Sequence, residues 1–301
     1  SFTLPNDEIS FLISGNYLVK VYHEDEPENT LLQARFYVCE NAVSIAASAT
    51  SRTDIDYNGE HQQVSFTVNT RNYAIRNMYT DLKAHVTQNS RSDNEVVVNQ
   101  PLMVSGKNIT FDHDRKLIFE AGNEFRRIET VAQHNISMGV ERMQYHHPYY
   151  HAILYTDRMR TNDSYLYDKT QMGRFTIRNS EAYDSDNGSE YIITHFTLDT
   201  EGQLSNGKIY LNGEFTNNLF TPSTMMKYDP ATGLYTADLL LKQGAYNYQY
   251  LFVPDGSTRG YSSLEGNKFQ TVNEYLIRLY HRDPASRYDR LIGFAITFSG
   301  K

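Results

Sequence analysis

Three imidazoles fall within six positions in MQYHHPYYH: His146, His147 and His151. Clustered histidines can hold zinc. On a strand, however, 146 and 147 point to opposite faces, and Pro148 interrupts the segment. A helix carrying 147 and 151 on one face would have to start at that proline, and the flanking residues favour strand. No glutamate follows in the spacing of zinc proteases. The cluster therefore reads as structural or surface histidine. In GNEFRRIET, Glu124 and Arg126 share one face of an extended chain, and Arg127 and Glu129 share the other. Paired carboxylates could flank a glycosidic bond. Charge pairing across strands at a domain seam accounts for the same residues without a reaction, and is the preferred reading.

The remaining candidates are weaker. Asp283, Arg287, Asp289 and Arg290 in DPASRYDRLIGF read as a salt-bridged loop before a last strand. The acidic run HEDEPEN, residues 23–29, reads as a solvated turn, because it carries Pro27 where a cation loop needs glycine. The one cysteine, Cys39, sits in YVCEN, which offers neither a basic neighbour nor a helix start to activate a thiol. Glycine-rich phosphate loops, nucleophile elbows and paired CxxC motifs are missing. No catalytic, metal or cofactor-binding residue is expected, and no cofactor. A hydrolase on a β scaffold would require Glu124 or the His146/His147 pair to converge in a deep pocket.

Composition narrows the partners. The 301 residues carry a formal net charge of −8, which opposes nucleic acid binding, since phosphates need a basic face. No dense Lys/Arg cluster suggests an anionic lipid surface. No apolar run reaches the roughly 18 residues of a membrane-spanning helix. Aromatic residues are abundant, with 24 Tyr and 15 Phe but no Trp. Tyr and Phe favour strands.

The elements that must position these residues are strands throughout. GNYLVKVYHEDEPENTLLQARFYV reads as a hairpin, with Tyr17, Val19 and Val21 on one face. VSIAASAT, HQQVSFTVNT, LKAHVTQNS and the region VVVNQPLMVSGKNITFD follow as strands, separated by turns such as Asn58-Gly59 and Ser105-Gly106. YIITHFTL is another clear strand. From Lys208 onward, KIYLNGEF, YTADLLL, YNYQYLFV, EYLIRLYHR and RLIGFAITF form a compact strand-rich module. This spacing predicts an all-β chain of tandem immunoglobulin-like β-sandwiches. The expected divisions are 1–40, 41–204 and 205–301.

KIYLNGEFTNNLF and GAYNYQYLFV resemble the early-set, glycogen-binding type of β-sandwich. Tyr246, Tyr248 and Tyr250 line one face of a strand and are candidates for a ligand or partner surface. Sugar-binding sandwiches often stack pyranose rings on Trp, which this chain lacks. Phe252 continues the same alternation and points to core or a packed seam instead. A carbohydrate-binding β-sandwich protein of a glycan-utilisation system is the alternative kept open.

SGNYLVKVY, EHQQVSFTV, LKAHVTQNSRSDN, AGNEFRRIET, KIYLNGEFTNN, GAYNYQYLF and EYLIRLYHRDPASRYDRLIGF, taken in this order, resemble the type IX secretion system plug protein family. They extend from Gly15 to Phe294. The resemblance implies a non-enzymatic periplasmic protein, associated with the outer membrane but not spanning it. Its partner would be the outer-membrane β-barrel translocon, whose mouth it would close. It also implies that residues 1–40 are the remnant of an N-terminal β-sandwich, because the family's first domain begins further upstream. No family motif assigns individual positions to the barrel contact.

Overall fold

The computed structural model describes residues 3–300 and is almost entirely β. The alternation seen in the sequence becomes burial. In β4 (His61–Asn69), Val64, Phe66 and Val68 point inward, and in β5 (Leu82–Gln88), Leu82, Ala84 and Val86 do the same. Strand side chains alternate faces, so one apolar residue in two suffices to build a core wall.

Two sheets face each other around this first core. A five-stranded sheet runs in the order β3 (Ser44–Thr50), β4, β8 (Asn108–Phe111), β7 (Met103–Ser105), with β9 (Ile118–Glu120) also paired to β4. The four-stranded sheet opposite has the order β21 (Arg290–Phe298), β20 (Glu274–His281), β5, β6 (Val96–Val98). Phe66 and Phe111 stack with ring centroids 4.7 Å apart, and Tyr275, Ile277 and Leu279 of β20 complete the cluster. Each such side chain, fully buried, contributes about 1.5–3 kcal/mol.

The sequence groups β20 and β21 with the module 205–301. In the structure, β20 pairs with β5, placing Ile277 opposite Val86 and Leu279 opposite Ala84. The strands of 205–301 are thus divided between two sandwiches. An apolar strand of period two fits any sheet that offers a matching face, so nearness in sequence does not decide its partner.

The second sandwich is inserted between β9 and β20. Its centre is β19 (Gly244–Pro254), which pairs with β10 (Arg126–Glu129) and β14 (Phe175–Ile177) through its first half and with β16 (Gly207–Asn212) through its second. Against it lies a six-stranded sheet in the order β11 (Val140–His146), β12 (Tyr149–Leu154), β15 (Tyr191–Asp199), β18 (Leu234–Lys242), β17 (Lys227–Asp229), with β13 (Asp157–Arg158) also paired to β15. Ile192, Phe196, Leu198, Leu211, Tyr246 and Tyr250 fill the space between the sheets.

Ahead of both sandwiches stands a two-stranded hairpin of β1 (Gly15–His23) and β2 (Glu26–Val38). The acidic run is shorter as a turn than the sequence suggests. Glu26 to Asn29 belong to β2, and the register breaks opposite Tyr22 and His23. Pro27 falls in that irregularity, where a missing N–H costs little. The hairpin base is fixed by the Tyr280 hydroxyl, which donates to Asn16 Oδ1 at 2.6 Å, and by the Arg278 guanidinium lying 4.4 Å from the Tyr37 ring centre.

Polar contacts join the two sandwiches. Arg91, at the turn after β5, pairs with Asp93 at 2.6 Å and donates to the Gly260 carbonyl at 2.8 Å. The Gly260 amide donates back to Asp93 at 2.9 Å. Arg174 reaches Glu274 at 2.7 Å, and the Ser262 amide reaches Glu120 at 2.9 Å.

Candidate functional site

A cleft of about 460 Å3 opens at the rim of the second sandwich and is lined in part by Arg126, Arg158, Arg160, Asp163, Asp199 and Glu201. Strand β10 carries Arg126 on the same inward face as Ile128, opposite Tyr248 of β19, where its guanidinium reaches the rim of the core. The loop after β19 brings Glu265 beneath it. The Arg126 Nε donates to Glu265 at 3.0 Å, Nη1 to Asp157 at 2.7 Å, and Nη2 to the Arg158 carbonyl at 2.7 Å. Arg160 donates to Glu265 Oε2 at 2.8 Å and to the Glu124 carbonyl at 2.8 Å. The Tyr250 amide adds a further bond to Glu265 at 2.9 Å.

These contacts fix the protonation states. Burial pushes the Glu265 carboxyl up, but Arg126 and Arg160 outweigh it and hold the group below the usual carboxylate range. Burial likewise opposes the charge on Arg126, and Glu265 with Asp157 overcomes that and keeps it firmly cationic. The hydroxyls of Tyr248 and Tyr250 both donate to Asp157 Oδ2, at 2.7 and 2.9 Å. Every member is already a donor or an acceptor to another, so the network works as a clamp binding β10, β13 and β19 together.

Tyr246, Tyr248 and Tyr250 are placed in the interior, exposed by 2%, 3% and 0%. As a contact surface they are corrected: β19 is central and covered on both faces, so none of the three offers a ring to a sugar or a partner. Burial, and for the latter two the neighbouring Asp157 charge, pushes the hydroxyls of Tyr246, Tyr248 and Tyr250 above the ordinary tyrosine value. Tyr246 donates to the Lys242 carbonyl instead.

Glu124 is buried as well. It accepts from the Tyr165 hydroxyl at 2.8 Å, the Val272 amide at 3.2 Å and Thr170 at 3.4 Å. Burial raises its carboxyl above the usual range, and those hydrogen bonds only partly offset the rise. It does not line the cleft. Arg127 pairs with Asp168 at 2.9 Å. Arg126 and Arg127 of GNEFRRIET are thus paired with carboxylates of the same sandwich, on loops and β13, and not across a seam between domains. Asp289 pairs with Arg282 across the β20–β21 turn, and Arg290 sits 4.0 Å from Glu40. Sequence reasoning missed Glu265, the most heavily used carboxylate, because SSLEGN reads as an ordinary loop.

His146 and His151 fall on one face of the β11–β12 hairpin, and His147 and Pro148 form its turn. His151 meets His195 of β15, its Nδ1 lying 2.8 Å from Nε2, and His195 Nδ1 lies 2.7 Å from Asp238. Among the described residues, no group of three or more His, Cys, Asp or Glu is arranged to hold a metal ion. No helix among them is long and apolar enough to cross a membrane.

Comparison with known proteins supplies the family. The model for the type 9 secretion system plug protein 1st domain matches residues 1–40. Residues 1–40 thus belong to a type 9 secretion system plug protein first domain. The matched stretch holds the β1–β2 hairpin and the residues leading into it. A crystal structure of a hypothetical protein from Parabacteroides merdae ATCC 43184 is similar over nearly the whole chain, with 46% identity and a TM-score of 0.96, covering 98% of this chain and 75% of that one. No curated protein matches the chain.

Proposed function

We propose that the chain is a non-enzymatic periplasmic component of the type IX secretion machinery, one that associates with the outer-membrane translocon barrel and occludes it. The match of residues 1–40 to the plug protein first domain carries this reading. The physical build supports it. Occlusion needs a stiff body, and two sandwiches joined through Arg91, Asp93, Gly260, Arg174 and Glu274 supply one. It needs no reactive centre, and Arg126 and Arg160 at the cleft are held by Glu265 and Asp157. Within this reading, residues 1–40 belong to the first plug domain, 41–120 with 274–299 form one sandwich, and 121–273 form the other.

The test is purification of the tagged protein from its own outer membrane, together with deletion of its gene. Recovery of the translocon barrel, and entry of small antibiotics into deletion cells, are the expected results. Deletion cells as tight as the parent while the barrel is present and idle would remove occlusion as the mechanism.

A further inference from the structure

We propose that His151, His195 and Asp238 form a proton-sharing relay on the outer face of the six-stranded sheet, which holds one extra proton in place and opens when a second one enters. His151 and His195 stand on neighbouring parallel strands, and Asp238 lies directly opposite His195. The two rings are nearly parallel, 15° apart, with centroids separated by 5.1 Å. Their facing nitrogens are only 2.8 Å apart. Rings layered face over face could not bring nitrogens so close. The rings therefore meet edge to edge, with one hydrogen bond between them.

That geometry dictates the proton positions. Asp238 is an acceptor, so His195 donates through Nδ1. In the neutral pair, His195 Nε2 is then a bare acceptor, and His151 must donate to it through Nδ1. One added proton changes the direction of this bond but not its existence. His195 becomes imidazolium, its Nε2–H donates to His151 Nδ1, and His151 moves its own proton to Nε2. A second proton can only enter at His151 Nδ1. Two N–H groups then face each other, and the bond must break.

The surroundings resist that second charge. By register, the same face carries Arg142, Gln144 and His146 of β11, Tyr149 and Ile153 of β12, Tyr191 and Ile193 of β15, and Leu240 and Lys242 of β18. The His146 ring lies edge-on to His151 at 5.1 Å. Partial burial, together with His195 and His146, pushes the His151 imidazole below its ordinary value, with Asp238 pulling weakly the other way. Strongly interacting groups titrate as a pair in two separated steps.

Histidine-selective NMR of the chain between pH 4 and pH 9 tests the relay. In the neutral form, His151 should carry its proton on Nδ1. The two imidazoles should titrate in two coupled steps, with the lower midpoint moved up by about one pH unit, a tenfold change in proton affinity, in His195→Gln. Asp238→Asn should lower the first midpoint. Identical single-site curves in all three proteins would overturn the relay. Should a variant fail to fold, the wild-type nitrogen shifts decide by themselves: His151 protonated on Nε2 while both imidazoles are neutral would overturn it equally.

Discussion

The Glu265 carboxylate lies 3.0 Å from the Arg126 guanidinium, with its side chain only 1% exposed. Breaking a buried pair on one side strands the other charge. Glu265→Ala should therefore cost about 3–5 kcal/mol in urea unfolding. It leaves Arg126 with Asp157 as its one remaining carboxylate and Arg160 with only its bond to the Glu124 carbonyl. Loss of less than about 1 kcal/mol would show that the cleft admits water freely to both guanidinium groups.

Tyr248 and Tyr250 tie their hydroxyls to one oxygen of Asp157. Tyr248→Phe and Tyr250→Phe should each cost about 1 kcal/mol. The double variant should cost more than the sum, because Asp157 would keep Arg126 alone as a strong donor. Additive losses in a double-mutant cycle would mean that the two hydroxyls act independently. Because neither ring reaches the surface, partner binding should follow the lost stability and nothing else.

Two buried carboxylates should respond to pH in opposite directions. Glu265 is held below its unfolded value of about 4.3. Its contribution is present above that value and is lost as pH falls through the lower folded one. Glu124 is displaced upward. Its contribution is present below the unfolded value and is lost as pH rises through the higher folded one. Urea midpoints from pH 3 to pH 8 should show Glu265→Gln most damaging near neutrality. Glu124→Gln should be harmless or stabilising there, and its advantage should vanish in acid.

The clasp of Arg91, Asp93 and Gly260 couples the sandwiches. Asp93→Ala leaves the Arg91 charge buried without its carboxylate. Thermal unfolding of that variant should separate into two calorimetric steps where the parent shows one. A single step at a lower temperature would assign the coupling to Arg174 with Glu274 and to the linking strands instead.

Individual strands were legible in the sequence because period-two alternation is a local signal. β4, β5, β15, β18, β19, β20 and β21 all lie where HQQVSFTVNT, LKAHVTQNS, YIITHFTL, YTADLLL, YNYQYLFV, EYLIRLYHR and RLIGFAITF place them. Their pairing was not legible. Nothing in EYLIRLYHR states that Ile277 belongs opposite Val86. Tyr246, Tyr248 and Tyr250 carried a mixed message. A tyrosine row suits a binding face, but Phe252 on the same side signalled packing, and burial of both faces of β19 agrees with that signal. His195 went unnoticed beside His151 because parallel neighbours can be far apart in the chain, and Glu265 was hidden in a loop whose partners come from β10 and the segment after β13.

The return of β20 and β21 to the first sandwich sets the order in which the molecule can be made. Val64, Phe66 and Val68 wait for two strands of the facing sheet that leave the ribosome some two hundred residues later. Until then, one edge of β5 lacks the strand that covers it, while the inserted sandwich contains all of its own strands and can close first. Contacts of such long sequence separation slow folding and prolong the exposure of unpaired strands. A nascent chain of this design would profit from a holding factor that shields the early strands until the last two arrive.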